Sequence, residues 1–451
     1  MDLLIDEKSS LNKDAEPKDE YSELCYNSDD DNELGNYETN DNTKNDSNEN
    51  KSDNIVIASA FLPFDLIKNE INNKWEVNIV DNPFYNSLYK LSENNPNITW
   101  VGCFRNQFDL TTDELDSLIF SLKKKRIILV KIEKQIFIQF CTIITDVIEP
   151  IFHYLTFFHD RSIIRNFEEL WKSYKCINDS FSKIISQYLS DGTRVWIHDY
   201  HLLLTANFLI SQIVLEKNNK NYSIGLFIHA PFPGSDVFKR FPYRDEILKA
   251  MMCFDMIGFH TFDSSRNFFT SCKRLLQINY ESTKEGALAL SYFGRNVFLY
   301  VKHISCETSL IKEEIKKEDF KKLHEQLKMK YKRKFVFVGV DKINYLSGIR
   351  NKLEGYRRFL RDLGDKFNQN ILVQYIYDKD DNIDFINDSR YKELKDEIIQ
   401  ISESIKNEFG EDIIEIVDKR LNISERLAVL ASGNCYVSTY QREAFSLVRL
   451  S

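Results

Sequence analysis

Along most of this chain, short runs that are apolar at nearly every position stop at a polar cluster, and a segment of helical length follows. The rhythm is densest in RVWIHDYHLLL (194–204), SIGLFIHAPFPGSDVF (223–238) and MIGFHTFD (256–263). A run rich in β-branched and aromatic residues with no polar alternation predicts a strand buried on both faces, as parallel strands are. Strand–helix alternation then predicts crossover connections, and so an α/β fold of parallel sheets with helices on both faces. On this basis strands are predicted over 54–58, 100–103, 194–197, 224–228 and 256–259, followed by an edge hairpin over 292–301. Helices are predicted over 167–189, 202–215, 244–253 and 264–276, and Ser235 reads as the cap of a short helix that Pro242 ends. A charged helix over 309–330 leads to a second series, with strands over 335–340, 371–377, 413–417 and 435–438 and helices over 352–363, 391–407 and 424–431.

Residues 1–53 break this pattern. They are rich in Asp, Glu, Asn and Ser and almost free of aliphatic residues after Ile5, a composition that buries too little surface to offset ordering entropy and predicts disorder. Residues 1–50 carry a net charge of −12 against −9 for the whole chain, which leaves +3 for the rest. The acidity thus belongs to a tail, readable as an acidic docking arm or simply as a solvated segment. No basic stripe with interleaved aromatics follows it, which excludes a nucleic-acid footprint. The start, MDLLIDEKSS, is acidic where a signal peptide is basic, and no apolar run approaches the length needed to span a bilayer. Cysteines 25, 103, 141, 176, 253, 272, 306 and 435 form no CxxC pair, and several sit inside apolar runs. That is the usage of reduced thiols in a cytoplasmic protein.

Candidate chemistry lies at the strand ends, since open α/β sheets bind ligands in the crevice outside the carboxyl ends of their strands. Asp199 follows one such end between His198 and His201. Its carboxylate reads either as a ligand-binding group or as the N-cap of the segment from Leu202. His229 precedes the rigid turn Pro231-Phe232-Pro233, and its bland reading is a structural strand-end histidine. A metal reading of His198, Asp199 and His201 lacks a further ligand cluster, so no metal or other cofactor is expected. The motifs His198-Asp199-Tyr200-His201, His229-Ala230-Pro231-Phe232-Pro233 and Gly258-Phe259-His260-Thr261 stand in the order and spacing of the trehalose-6-phosphate synthases. The chain resembles that family from about Ile55 to Val448.

The resemblance implies two Rossmann-like domains of GT-B type: an acidic tail over 1–53, an acceptor-side domain over 54–308, a connecting helix over 309–332 and a nucleotide-sugar domain over 333–451 that stops short of the family's last helices. It further implies retaining glucosyl transfer from UDP-glucose to glucose-6-phosphate, with Asp199 against the acceptor sugar and His229 against the donor sugar. Donor-side positions matching the family are Lys342, Arg442, Glu443, Leu447 and Val448. Several differ in kind. Lys342 stands where the family has Arg, Ser347 where it has Lys, Ser404 where it has Arg, Glu443 where it has Asp, and Ser451 where it has Glu. On the acceptor rim, Phe61 replaces an Arg or similar polar residue, and Glu149 a Trp. Lysine lacks the bidentate fork of arginine and serine carries no charge, so the alternative is an impaired relative that serves as a regulatory or scaffolding subunit with other family members, or a piece of a longer synthase/phosphatase chain. The tail supplies one test: amides across Asp14–Asn50 are expected to exchange at near the rate of an unfolded peptide, and slow exchange there would count against disorder.

Overall fold

A computed structural model describes residues 54–442 except 69–74, 80–88, 90–91, 93–94, 106–110, 156–160, 216–220, 279, 283–287, 304–307 and 378–388. The acidic tail and Glu443, Leu447, Val448 and Ser451 lie outside the described residues. In chain order the strands are β1 (Ile55–Phe61), β2 (Phe64–Lys68), β3 (Trp75–Ile79), β4 (Ile98–Cys103), β5 (Ile127–Leu129), β6 (Thr193–His198), β7 (Tyr222–Ile228) and β8 (Met256–Phe259). They continue with β9 (Tyr280–Ser282), β10 (Leu288–Tyr292), β11 (Arg295–Val301), β12 (Phe335–Lys342), β13 (Asn370–Tyr377), β14 (Ile414–Asp418) and β15 (Cys435–Tyr436).

Nine of these form one sheet in the order β5-β4-β1-β6-β7-β8-β11-β10-β9. From β5 to β11 every neighbour runs parallel, and β10 and β9 close the edge antiparallel. The chain leaves β1 towards β4 and β5, then returns to β6 on the other side of β1. This reversal makes β1/β6 the topological switch point, where Ser59 pairs with His198 and a crevice opens at the carboxyl ends.

The face towards the longer helices holds the main core. Helix Arg161–Ser186 presents Trp171, Tyr174, Ile177, Phe181 and Ile185, a spacing of three and four residues that keeps one stripe inward. Continuous helix Lys134–Phe152 is long and apolar enough to cross a bilayer, which corrects the expectation that no such run exists. Its physical role here is different: Phe137, Phe140, Ile143 and Val147 are fully buried in the same core. A π-helical turn at Ile144–Ile148 widens it, the usual way a helix absorbs an extra residue. On the opposite face, helix Thr112–Lys124 sets Leu118 and Leu122 against Ile57, Trp100 and Ile127. Thr111 starts it with a capping box to Glu114.

A second, four-stranded parallel sheet runs β14-β13-β12-β15. Helices Ile349–Leu363 and Ser389–Phe409 cover one face, and Glu318–Lys330 and Ile423–Ser432 the other. Lys352 reaches back from the first of these to a buried ion pair with Asp341 on β12, and Gln374 Nε2 donates to the same carboxylate at 2.8 Å. A charge buried this deeply requires such a partner.

Differences from expectation are local. The predicted helix 309–330 is broken at Lys317 into Thr308–Lys316 and Glu318–Lys330. Segment 202–215 begins as a tight 3-10 turn, Tyr200–Leu202, before the α-helix Thr205–Leu215. Gly234, not Ser235, takes the cap position, and Ser235 Oγ instead accepts from Arg274 Nη1 at 3.1 Å. The β2–β3 hairpin, β5 and helix Thr112–Lys124 are additional to the predicted elements, although Leu115, Leu118 and Leu122 carry helical spacing in the last of these.

One buried side chain ties the cleft segment to the core. Asn178 Oδ1 accepts from Leu204 N at 3.0 Å and from Thr205 Oγ1 at 3.0 Å, while its Nδ2 donates to His201 O at 3.2 Å. Asn178→Leu should therefore orphan several buried groups and cost about 3 kcal/mol of stability, read from urea unfolding; a loss below about 0.5 kcal/mol would contradict this account.

Candidate functional site

Parallel strands deliver their last residues to one edge. Here β6 ends with His198, and His229 and His260 directly follow β7 and β8, so that the three stand in a row. His198 Nδ1 lies 3.0 Å from His229 Nε2, and His229 Nδ1 lies 3.1 Å from His260 Nε2. Each contact holds one proton. In one polarity His198 donates to His229 and His229 to His260; in the other both bonds reverse. Both ring nitrogens of His229 are thus occupied by neighbours, and its ring orientation is set by the row.

Asp199, directly after β6, has φ 70° and ψ 172°, a region almost reserved for glycine that costs on the order of 1–3 kcal/mol. What holds it there is its own carboxylate: Oδ1 accepts from Tyr200 N at 3.0 Å and from His229 N at 3.3 Å. Both sequence readings of Asp199 are therefore realised at one position, as a cap for the Tyr200–Leu202 turn and as a carboxylate at the switch point. Burial raises its pKa to about 7, the amides of Tyr200, His229 and Ala230 oppose that shift, and the Glu149 carboxylate adds to it. Burial also lowers His198 and His201 to about 3 and His260 to about 4, and holds His229 well below its ordinary value. His201 Nδ1 stands 3.9 Å from Asp199 Oδ2. With so low a pKa it is neutral at pH 7, and the contact is not an ion pair.

Aromatic rings floor the cleft beside these groups. Phe61, at the end of β1, packs edge-on against His201 at 5.5 Å and against Phe137 at 6.2 Å. Phe140 lies 6.4 Å from His201. The Arg105 guanidinium, two residues past β4, lies 5.9 Å from the Phe61 ring centroid, and its charge also depresses His201. Arg105 escaped the sequence reading, and His260 entered it only within the Gly258–Thr261 motif, although the strand-end rule that singled out Asp199 and His229 reaches both.

Of the donor-side candidates, Lys342 is the last residue of β12, half-buried at the carboxyl end of the second sheet. Ser347 is fully buried. Its hydroxyl donates to Asn344 O at 2.7 Å, so it offers nothing to a ligand. Arg350 is paired with Glu397 at 3.0 Å. Next to them, Gly348 has φ 64°, and a Cβ there would lie 2.4 Å from Thr439 O; this is a close approach that only glycine permits. Arg442, with φ 54°, places its guanidinium 4.5 Å from the ring centroid of Tyr154, itself at φ 63°. The Tyr154 hydroxyl accepts from Gly234 N at 2.9 Å and from Asn267 Nδ2 at 2.9 Å, so the turn after His229 and the Arg442 loop meet on one side chain.

Two parallel sheets, the first with its switch-point crevice lined by Asp199 and His229, make this a GT-B-type glycosyltransferase fold. The sequence profile of glycosyltransferase family 20 matches residues 53–451, and the chain belongs to that family. It is 30% identical over 302 residues to an alpha,alpha-trehalose-phosphate synthase [UDP-forming] of Emericella nidulans, a match covering 66% of this chain and 56% of the relative. The chain thus spans about half the length of the curated relatives it matches. Among solved structures, the N-terminal domain of Candida albicans trehalose-6-phosphate phosphatase superposes with a TM-score of 0.74 at 22% identity, covering 88% of this chain and 79% of that one. A Burkholderia xenovorans alpha,alpha-trehalose-phosphate synthase in complex with glucose-6-phosphate gives 0.69 at 18% identity, covering 88% and 81%.

Four imidazoles held neutral below their ordinary pKa make the fold acid-labile. The folded state binds fewer protons than the unfolded chain between about pH 4 and 6.5, so stability falls on acidification by about 1.4 kcal/mol per pH unit for each such imidazole. Asp199 acts oppositely: its raised pKa favours the folded state below about pH 4, and that contribution is lost as pH rises to about 7. The imidazoles outnumber it. Urea midpoints should therefore drop steeply between pH 6.5 and 4.5, and His229→Asn should flatten the slope; a midpoint constant over that range would refute the assigned protonation states.

Proposed function

We propose that this chain is a retaining glycosyltransferase of the trehalose-phosphate synthase type, binding UDP-glucose and glucose-6-phosphate, with turnover limited by a reduced donor clamp. The observation that carries the reading is the Asp199 carboxylate, held by amides at the switch point in a backbone conformation that costs energy to keep. Strain of this kind is retained where a group must be aimed, and here the group can accept hydrogen bonds from acceptor hydroxyls.

Transfer with retention requires the acceptor hydroxyl and the departing diphosphate on the same face of the donor sugar. The bond from C1 to the diphosphate oxygen breaks, a bond from C1 to the acceptor oxygen forms, and the hydroxyl proton passes to the leaving phosphate. UDP and a disaccharide phosphate result, and no carboxylate pair is needed. The main task left to the protein is to neutralise the developing charge on the diphosphate. Lys342 supplies one cation for it, Ser347 none, and Arg350 is tied to Glu397. Losing one such donor costs on the order of 3 kcal/mol, a hundredfold or more in rate. Ser347 and Arg350 favour a second reading, a regulatory or scaffolding subunit that binds the sugar phosphate without turning it over. No resident cofactor is invoked, and a cytoplasmic setting suits both substrates.

Purified protein in a coupled UDP-release assay should turn over far more slowly than about one per second, the low end of ordinary enzymes. Lys342→Arg should tighten UDP-glucose binding several-fold through a bidentate contact. Turnover at or above one per second would overturn the reduced clamp, and absence of binding to both substrates in calorimetry would overturn the synthase-type reading.

A further inference from the structure

The strained turn after β6 is held from behind by one hydroxyl. Tyr174, fully buried on helix Arg161–Ser186, donates from that hydroxyl to Tyr200 O at 2.7 Å and accepts there from Leu203 N at 3.3 Å. Tyr200 is thus clamped on both sides of its backbone, since its amide is given to Asp199 Oδ1 and its carbonyl takes the Tyr174 proton. The Tyr174 ring has little freedom of its own. It stacks on Trp171 at 4.9 Å and on Phe140 at 5.9 Å, with interplanar angles of 14° and 18°. Trp171 in turn stacks on Tyr243 at 4.8 Å and donates from Nε1 to Glu246 Oε2 at 2.9 Å, and Lys175 pairs with the same carboxylate at 2.7 Å. Burial raises the pKa of the Tyr174 hydroxyl, so it keeps its proton, and with it the bond to Tyr200 O, at any pH near neutral.

Core packing needs none of this polarity, because a phenylalanine of the same shape fills a ring stack without bringing a buried oxygen that must be satisfied. The hydroxyl is matched instead to a segment whose backbone is strained, and that segment carries the Asp199 carboxylate at φ 70°. We propose that Tyr174 is a positioning residue for acceptor binding: its hydroxyl, aimed by the ring stack, holds the turn from Tyr200 to Leu203 so that Asp199 stays turned to the switch-point crevice. The acceptor's identity rests on the synthase-type reading above. Without the hydroxyl, Tyr200 O and Leu203 N lose this partner, and the turn can relax towards an ordinary aspartate conformation that tilts the carboxylate away from acceptor hydroxyls. Being fully buried, Tyr174 acts through the turn and not by touching the ligand.

Calorimetry on the full 451-residue chain with glucose-6-phosphate and UDP, each alone, tests the assignment. Tyr174→Phe, which keeps the stack and removes one oxygen, should weaken glucose-6-phosphate about tenfold and leave UDP within about twofold. Ile185→Val is the control: fully buried on the same helix, it should lower the urea midpoint while leaving both affinities within about twofold. Should Tyr174→Phe fail to fold, Trp171→Phe decides in its place, since it keeps a ring in the stack, loses the bond to Glu246 and should weaken glucose-6-phosphate alone, by about threefold. A deciding variant that keeps wild-type affinity for glucose-6-phosphate, or that weakens both ligands alike, overturns the role of Tyr174 and leaves the synthase-type reading standing. The same holds if Ile185→Val weakens glucose-6-phosphate as much as the deciding variant does. Wild type that binds UDP but not glucose-6-phosphate overturns the acceptor assignment and the role of Tyr174 with it, and wild type that binds neither overturns the synthase-type reading as well.

Discussion

The carboxylate of Asp199 accepting the amide hydrogens of Tyr200 and His229 is the contact on which the cleft depends. It joins the end of β6 to the end of β7, and it compensates a backbone conformation that an aspartate otherwise avoids. Because β6 borders β1, this contact also fixes what faces the switch point. Behind it, Tyr174 and Asn178 grip the carbonyls and amides of residues 200–205, so the segment cannot relax without exposing buried polar groups.

Electrostatics in the cleft follow from dryness more than from pairing. Imidazoles that would be charged in part near neutrality are kept neutral by burial, and they satisfy one another along the row His198, His229, His260. A neutral row next to a carboxylate imposes no net charge on what binds beside it, and with both His229 nitrogens taken within the row the free acceptor there is Asp199. Charge enters from the neighbours instead, with Arg105 near His201 and Glu149 near Asp199.

The second sheet repeats the architecture with different chemistry at its edge. Ser347 is turned inward and Arg350 outward, so Lys342 has less help than the loop sequence suggests. Its buried Lys352–Asp341 pair stabilises the root of this loop and is unavailable for ligand chemistry. Contact with the first half passes through Arg442 and Tyr154, both in left-handed backbone, an arrangement that couples the donor-side loop to the turn after His229.

Much of this was legible in the chain itself. Apolar runs without alternation announce buried parallel strands, and polar residues that stop them, such as Asp199 and His229, must fall at the crevice because every parallel strand ends on the same edge. Spacing at three and four residues likewise announced the helix that buries Trp171, Tyr174 and Phe181. Tertiary structure alone decided matters that depend on which residues distant in sequence become neighbours. Apolarity and length do not say whether Lys134–Phe152 meets lipid or core, and packing against the first sheet answers that. Loop sequence does not reveal that Ser347 points at Asn344, nor that Arg105 comes to lie over Phe61, 44 positions away. Periodicity fixes which face a side chain takes on its own element; register and crossover, which bring β1, β4 and β6 together, set what that face meets.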